Sequence, residues 1–453
     1  MTELFPSRDL CGKFMPIRVA YDISVPAAVG SGGKAGIARV SEELLYALSR
    51  LPEVSPTLVG TGIWHRVPDA PTMDARVREY VAAMPRGVTY SFAKCYKSRL
   101  GLDRALWRLF GDLADARYYQ LRRPTLKWLI HRTGRVLVAQ ARRLDSRMML
   151  DDSAFDVFHS PFVRLPPRRV TGRLPRVLTV YDLIPVLSPE LTGPFYTANF
   201  RRILKSLDMR SDWVTTISQH TKDQFCQYTG MSADRVFVTP LAASDLFHPS
   251  NDAEAEAARR KYGIPDGDYL LSVANPQPNK NIPHLIRAFA RLLMESPGLE
   301  VNLVLAGLRS GLLQDELNAV AGSPAAAAGL LSRLVFTGYI ADEDLSAVYS
   351  GAKAFVFPSL SEGFGLPILE AMQCGVPVVT CNTTSLPEVA GDAALMVDPK
   401  DEAALSGAMH HLLTDAAAAA ALAKKGLERA REFTWARCAE LTADVYRKAI
   451  AAA

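Results

Sequence analysis

Short apolar runs recur along this chain, separated by stretches that are apolar on one helical face only. Ile17–Tyr21 reads as a first strand, Phe155–His159 and Val177–Tyr181 look like buried strands, and Val214–Ser218 and Val236–Val238 follow. A second set begins at Tyr269–Ala274 and continues through VNLVLAG, which ends at Gly307, then LVFTGYI, Ala354–Phe357 and Val376–Thr380. Helical patterns lie between them. One runs from about Ile37 to Leu51, and another places Ile282, Leu285, Ile286, Phe289, Leu292 and Leu293 on one face. Strands that alternate with helices predict an α/β fold with parallel sheets. At 453 residues the chain is too long for one core and suits two domains of roughly 200 residues each.

The most informative stretch is Ser361–Val379, SEGFGLPILEAMQCGVPVV. It lies between two strand-like runs and contains one helix. Pro367 suits a first helical position, since its ring presets the backbone and it has no N–H to leave unpaired. Gly375 suits the far end as a cap. The loop Glu362–Leu366 is expected at the carboxyl end of a parallel strand, where open α/β sheets bind ligands. Gly363 and Gly365 remove bulk there and let backbone N–H groups face an anion. Glu362 and Glu370 frame the loop. Taken alone, such a pair is better explained by a loop acid and an exposed helical glutamate.

The surrounding residues change that balance. E-G-F-G-L-P-x-x-E-A-M followed by G-V-P-V-V resembles the E-x7-E signature of the retaining glycosyltransferases of family four, which have the GT-B fold. That fold has two Rossmann-like doubly wound domains facing a central cleft, with a C-terminal helix crossing back to the first domain. The resemblance is strong over about Tyr269–Pro399 and patchy in the first half, and residues 52–150 show no usable match. It implies an N-terminal acceptor-binding domain over 1–245 with a helical insertion at about 85–150. A nucleotide-sugar-binding domain follows over 246–433, and the closing helix spans 434–453.

The resemblance also implies roles for single residues. Glu362 holds the donor sugar, and Glu370 accepts hydrogen bonds from ribose hydroxyls. Gly363, Phe364, Gly365 and Leu366 line the donor with backbone. Lys280 falls where the family places a lysine on the diphosphate. Asn279 and Asn275 occupy positions where many members carry an arginine, so Asn279 offers only neutral donors. Gly307 ends a strand beside the donor, and the segment Gly338-Tyr339-Ile340 matches where the backbone reads the nucleotide base. Gly33 and Gly36 belong to a glycine loop near donor and acceptor, and Gly36-Ile37-Ala38-Arg39 matches the family's helix opening. The loop is neither G-x-G-x-x-G nor a phosphate-binding P-loop. The family usually has His at the position of Tyr181. A phenol is a poor general base at neutral pH, which leaves His159, at the end of the neighbouring strand, as a candidate substitute and equally as a capped structural histidine.

Charge adds a further expectation. The net charge is only +5, yet Arg86–Arg147 holds 15 Lys or Arg against 4 Asp, with aromatics interleaved. This reads either as a surface for anionic lipid or as the solvated face of a helical insertion. Nucleic acid is disfavoured, since no recognition motif accompanies the charge. Six scattered cysteines, with no C-x-x-C, argue against a disulfide frame or a zinc site. The D-x-D within Ala341-Asp342-Glu343-Asp344 reads as an acidic helix start and not as a metal site. The opening MTELFPSRDL shows no signal-peptide pattern, and no apolar run approaches the roughly 18 residues of a membrane span. A cytoplasmic enzyme is expected, peripheral on the inner membrane face if the basic segment binds lipid.

The resulting expectation is a retaining, metal-independent glycosyltransferase without cofactor. Its donor would be a nucleotide-diphosphate sugar, with GDP-mannose favoured over dTDP- or UDP-sugars. YDLIP with NPxPxKN looks most like mannosyl- or rhamnosyl-transferring members. The acceptor would be a glycan or lipid-linked glycan in cell-surface polysaccharide synthesis. Two other readings stay open: a non-catalytic donor-binding or scaffolding subunit, motivated by Tyr181 and the missing arginine, and a GT-B sugar-nucleotide epimerase.

Overall fold

The structure is a computed structural model that describes residues 15–24, 36–61, 150–273, 277–307 and 329–453, with residue 80 and short strands at 91–92, 96–98 and 146–148. The basic segment Arg86–Arg147 and the loop glycine Gly33 therefore lie outside the described residues, apart from those short strands. Two compact units are distinguished. The first holds the described residues up to Thr179, Arg202–Thr215 and Thr442–Ala453, and the second holds Val180–Arg201 and Thr216–Leu441.

The first sheet is built from β1 (Ile17–Asp22), β2 (Val54–Val59), β3 (Ser91–Phe92), β6 (Val157–Ser160), β7 (Arg176–Val180), β8 (Trp213–Thr216) and β9 (Val236–Val238). Its order is β3-β2-β1-β6-β7-β8-β9. A separate antiparallel pair joins β4 (Tyr96–Ser98) to β5 (Ser146–Met148). Helix α1 (Ile37–Ser49) connects β1 to β2 and buries Ala38, Val40, Leu44, Leu45 and Leu48, the spacing of a helix lying on a sheet. Gly36 caps it at φ 61°, a left-handed value that a side chain would strain, with open space where a Cβ would be. Helix α2 (Gln219–Thr229) connects β8 to β9 and starts at Ser218, whose side chain accepts the N–H of Thr221.

The second sheet contains β10 (Asp268–Val273), β11 (Val301–Ala306), β12 (Leu334–Gly338), β13 (Ala354–Phe357), β14 (Val378–Cys381) and β15 (Ala394–Val397), in the order β12-β11-β10-β13-β14-β15. All of its pairings are parallel. Strands 11 and 13 are buried throughout, as strands covered by helices on both faces must be. The connecting helices include α3 (Ile282–Glu295), α4 (Asp342–Ser350), α5 (Leu366–Gln373) and α6 (Leu386–Ala390). Chain order grows outward from β10 in one direction and then restarts at β13 on its other side. The topological switch point therefore falls between β10 and β13, the position at which open α/β sheets bind ligands.

The closing helix α7 (Trp435–Ala451) is divided at Thr442, its residues from there onward being assigned to the first unit. One strand differs from expectation. β14 starts at Val378 and not at Val376, because the end of α5 consumes the intervening backbone. Gly375 at φ 72° lets its own N–H reach Met372 O and the N–H of Val376 reach Ala371 O, a Schellman closure. Among the described residues, no helix is long and apolar enough to cross a membrane.

Candidate functional site

The two loops at the second switch point bring the charged candidates together. The loop after β10 ends in a short 3-10 turn, Pro278–Lys280, and the loop after β13 carries Ser361 and Glu362. They are tied by backbone, with Leu360 N–H donating to Asn279 O at 2.8 Å. Lys280 Nζ lies 2.7 Å from Glu362 Oε1, and the two side chains are 15% and 14% exposed. The same ammonium sits 5.0 Å from the centre of the Phe357 ring. Asn281 holds the turn from below, in a left-handed conformation, by donating to Pro358 O and Pro399 O. Asn279 is buried, and its amide donates to Ser361 O at 3.1 Å and reaches Glu362 Oε1 at 3.4 Å. Its observed work is to brace the Glu362 loop, so it does not replace the missing arginine.

The loop Glu362–Leu366 is shaped from two sides. A Cβ on Gly363 would meet Tyr181 O at 2.1 Å, so glycine is required there for close backbone approach. Gly365, at φ 123°, precedes α5 and faces Leu386. On the other side Ser385 donates to the carbonyls of both Glu362 and Phe364 at 2.9 Å, and Glu362 N–H donates to Thr384 Oγ1 at 3.2 Å. Thr384 itself adopts φ 53°, a rare value for a β-branched residue. The Phe364 side chain points into the core and meets Phe433 edge-on at 5.8 Å, leaving only its backbone for a ligand. Pro367 falls within the first two positions of α5 and brings no N–H, the Ile368 N–H donates back to Gly365 O at 2.9 Å, and the opening turn otherwise has no acceptor inside the helix. An anion-receptive helix start thus stands in the loop that carries Glu362.

Further along α5, Glu370 Oε2 accepts a hydrogen bond from buried Tyr349 at 3.0 Å, which fixes its rotamer. At the ends of β11 and β12, Gly307 N–H donates to Gly338 O at 2.8 Å, with both glycines at positive φ. This cross-link presents Tyr339 outward, 73% exposed, while Ile340 is buried. The acid cluster opens α4 as expected, in its first turn. Asp344 accepts from Lys261 Nζ at 2.6 Å and from the Tyr262 hydroxyl at 2.5 Å, and these bonds hold its carboxyl below the ordinary range.

Two sequence candidates for catalysis do not belong to this cluster of charges. His159 is fully buried within the first unit. One ring nitrogen faces the Tyr446 hydroxyl at 2.7 Å and the other faces Thr179 Oγ1 at 2.9 Å, while burial pushes its pKa down to about 3. A neutral, fully bonded imidazole with no exposed edge is structural, and it leaves the catalytic set. Tyr181 has a buried side chain, and it is its carbonyl that meets Gly363 and accepts from Thr221 at 3.3 Å. It shapes the loop and is not a base.

Sequence reasoning missed Asp182. This half-buried carboxyl follows Tyr181, accepts Ile184 N–H at 2.9 Å, and feels the charges of Glu362 and Lys280. Burial is the main cause that pushes its pKa up to about 6. The signal in the sequence was an Asp two residues ahead of a Pro-marked helix start, which reads as a turn-forming acid and conceals the neighbouring charges. Thr384 and Ser385 were also missed, since nothing local marks them as braces of a distant loop.

The family described as "Glycosyl transferases group 1" matches residues 254–429. The chain is 34% identical over 293 residues to O-antigen chain mannosyltransferase B of Escherichia coli, covering 64% of this chain and 74% of that protein. It is 35% identical over 278 residues to the serotype-specific mannosyltransferase WbdA of Escherichia coli, covering 60% of this chain but only 33% of that much longer protein. Among solved structures, sucrose-phosphate synthase from Thermosynechococcus elongatus aligns with TM-score 0.60 at 20% identity, over 96% of this chain and 100% of that one, and it shares the fold.

Proposed function

Since the chain belongs to the group 1 glycosyl transferases, we propose that it moves a hexose from a nucleotide-diphosphate sugar to a growing, lipid-linked glycan in cell-surface polysaccharide synthesis. Mannose is favoured over rhamnose, and GDP-mannose over dTDP- or UDP-sugars, because the two relatives above are named mannosyltransferases. The transfer retains configuration at the anomeric carbon. The basic segment Arg86–Arg147 is assigned in this reading to an anionic membrane surface.

The observation that carries the reading is the Lys280–Glu362 pair at the mouth of the second sheet, next to the glycine-shaped start of α5. A leaving diphosphate gains negative charge as the sugar–phosphate bond breaks. Lys280 and the N–H groups of the α5 entrance meet that charge without reorganising, which is where electrostatic preorganisation lowers a barrier most. Glu362 faces the sugar and favours the positive charge that grows on its ring. The acceptor oxygen attacks the face from which the phosphate departs, and the phosphate oxygen takes its proton, so the absence of a histidine at position 181 is tolerated. Glu370, oriented by Tyr349, takes the ribose hydroxyls. The backbone around Ile340 reads the base, beside exposed Tyr339.

Purified protein incubated with GDP-mannose, dTDP-rhamnose and UDP-sugars, with and without a polyprenyl-diphosphate-linked glycan, tests this. Acceptor-dependent consumption of GDP-mannose with an α-linked product is expected. Binding without transfer would favour a scaffolding subunit, and donor conversion without acceptor would favour an epimerase. Glu370→Ala is expected to weaken donor binding roughly tenfold by calorimetry, the loss of hydrogen bonds to a charged acceptor.

A further inference from the structure

The donor corner holds one more ionisable group than the transfer chemistry above employs. Asp182 lies two residues beyond the end of β7, and the packing of Gly363 against it is close enough that a Cβ there would lie 3.0 Å from Asp182 Cβ. Its Oδ1 accepts the Ile184 N–H at 2.9 Å, which fixes the carboxyl beside the Glu362 loop. Two carboxylates and one ammonium therefore share this corner, and in the structure the ammonium of Lys280 is paired with Glu362 at 2.7 Å. With all three ionised the cluster is net negative. A diphosphate placed beside Lys280 adds negative charge and competes with Glu362 for the same cation.

A partly buried site answers added negative charge by binding a proton at whichever carboxyl holds one most readily. Here that carboxyl is Asp182. Its pKa stands at about 6 as the balance of four causes: burial raises it most, the Ile184 N–H lowers it, Glu362 raises it, and Lys280 lowers it. Withdrawing Lys280 toward a phosphate removes that last restraint. On the basis of the donor site proposed above, we propose that Asp182 is a positioning residue that takes up one proton from solvent as the donor's diphosphate draws Lys280 away from Glu362. The only bond formed is the carboxyl O–H. The neutral carboxyl relieves repulsion against Glu362, which stays ionised and turns to the sugar.

Calorimetry with GDP and with UDP, in buffers of different ionisation enthalpy between pH 5.5 and 8.5, reads the uptake directly. Uptake approaching one proton per nucleotide is expected near pH 7.5, with affinity falling by up to about tenfold per pH unit above pH 6. Asp182→Asn keeps an oxygen for the Ile184 N–H and removes the titration. It should abolish the uptake, flatten the pH profile, and bind GDP at pH 8 at least as tightly as the native protein. A residue that is merely structural would lose affinity equally at every pH, and that result, or uptake surviving in Asp182→Asn, overturns the proposal. A second measurement needs no nucleotide. Carbon-detected NMR of the Asp182 carboxyl should show its midpoint moving upward in Lys280→Met, and an unmoved midpoint also overturns it. Native protein that binds neither GDP nor UDP sinks the donor site itself. A midpoint that still moves in Lys280→Met would then show that the failure lies there and not in the carboxyl cluster.

Discussion

The two sheets share a way of opening, yet what they place at the opening differs. At the first switch point, between β1 and β6, the described polar groups Asp22 and His159 are buried and hydrogen-bonded. Asp22 accepts from Ser24 N–H and Oγ at 2.9 and 2.6 Å and from the Thr61 hydroxyl. His159 has a partner on each nitrogen. At the second, between β10 and β13, Lys280 and Glu362 keep part of their surface in solvent, and Asp182 adds a charge that one ammonium does not balance. Topology offers a ligand crevice in both sheets. Chemistry resides where charge is left incompletely answered, because a fully satisfied buried group has nothing further to give a substrate.

Three substitutions sharpen or break this contrast. The largest effect is expected from Glu362→Gln, which keeps the shape of the loop and removes the charge facing the sugar. Turnover should fall on the order of 10²–10³-fold with little change in melting temperature, the range seen when one preorganised electrostatic group is lost. Initial rates alongside a circular-dichroism melt would measure it. Unchanged turnover would remove Glu362 from the chemistry and leave the second opening no more reactive than the first.

Next comes Gly363→Ala. The added methyl meets Tyr181 O at 2.1 Å, and because backbone atoms cannot step aside as a flexible side chain does, the loop must move. A loss of about 2–3 kcal/mol in urea denaturation is expected, together with weaker donor binding.

The smallest effect on activity is expected from His159→Leu, which should leave turnover within about twofold. It removes the hydrogen bonds to the Tyr446 hydroxyl and to Thr179 Oγ1, the latter keeping Thr215 Oγ1 at 2.8 Å, and so costs about 1–3 kcal/mol of stability by chemical denaturation. The pH dependence has a definite sign. His159 is neutral in the fold, with its pKa pushed down to about 3, whereas the unfolded chain takes up a proton near the ordinary 6.5. Its contribution is therefore complete above pH 6.5 and is lost progressively as pH falls toward 3. The leucine variant should lose less stability than the native protein over that window.

Much of the second unit was legible from the chain alone. The apolar runs at 354–357 and 301–306 are strands, and Pro367 and Gly375 bracket α5. These features follow from local rules of period, cap and punctuation. Where reading failed, the deciding partner was remote. His159 stayed open between a candidate base and a structural histidine because its two hydrogen-bond partners, at 179 and 446, are invisible from position 159. Asn279 read as a donor ligand, but its amide is taken up by a loop 82 positions away. Asp182 was passed over because Gly363 and Lys280 reach it only through folding.

By itself, then, the order of residues determined the alternation of strand and helix, the glycine-shaped entrance to α5, and the kinds of charge available there, since each depends on neighbours within a turn or a strand. Only the tertiary structure decided which of those groups stay reactive. Proton affinity and hydrogen-bonding capacity are set by what surrounds a side chain in space, and in a parallel sheet those surroundings are assembled from loops far apart along the chain.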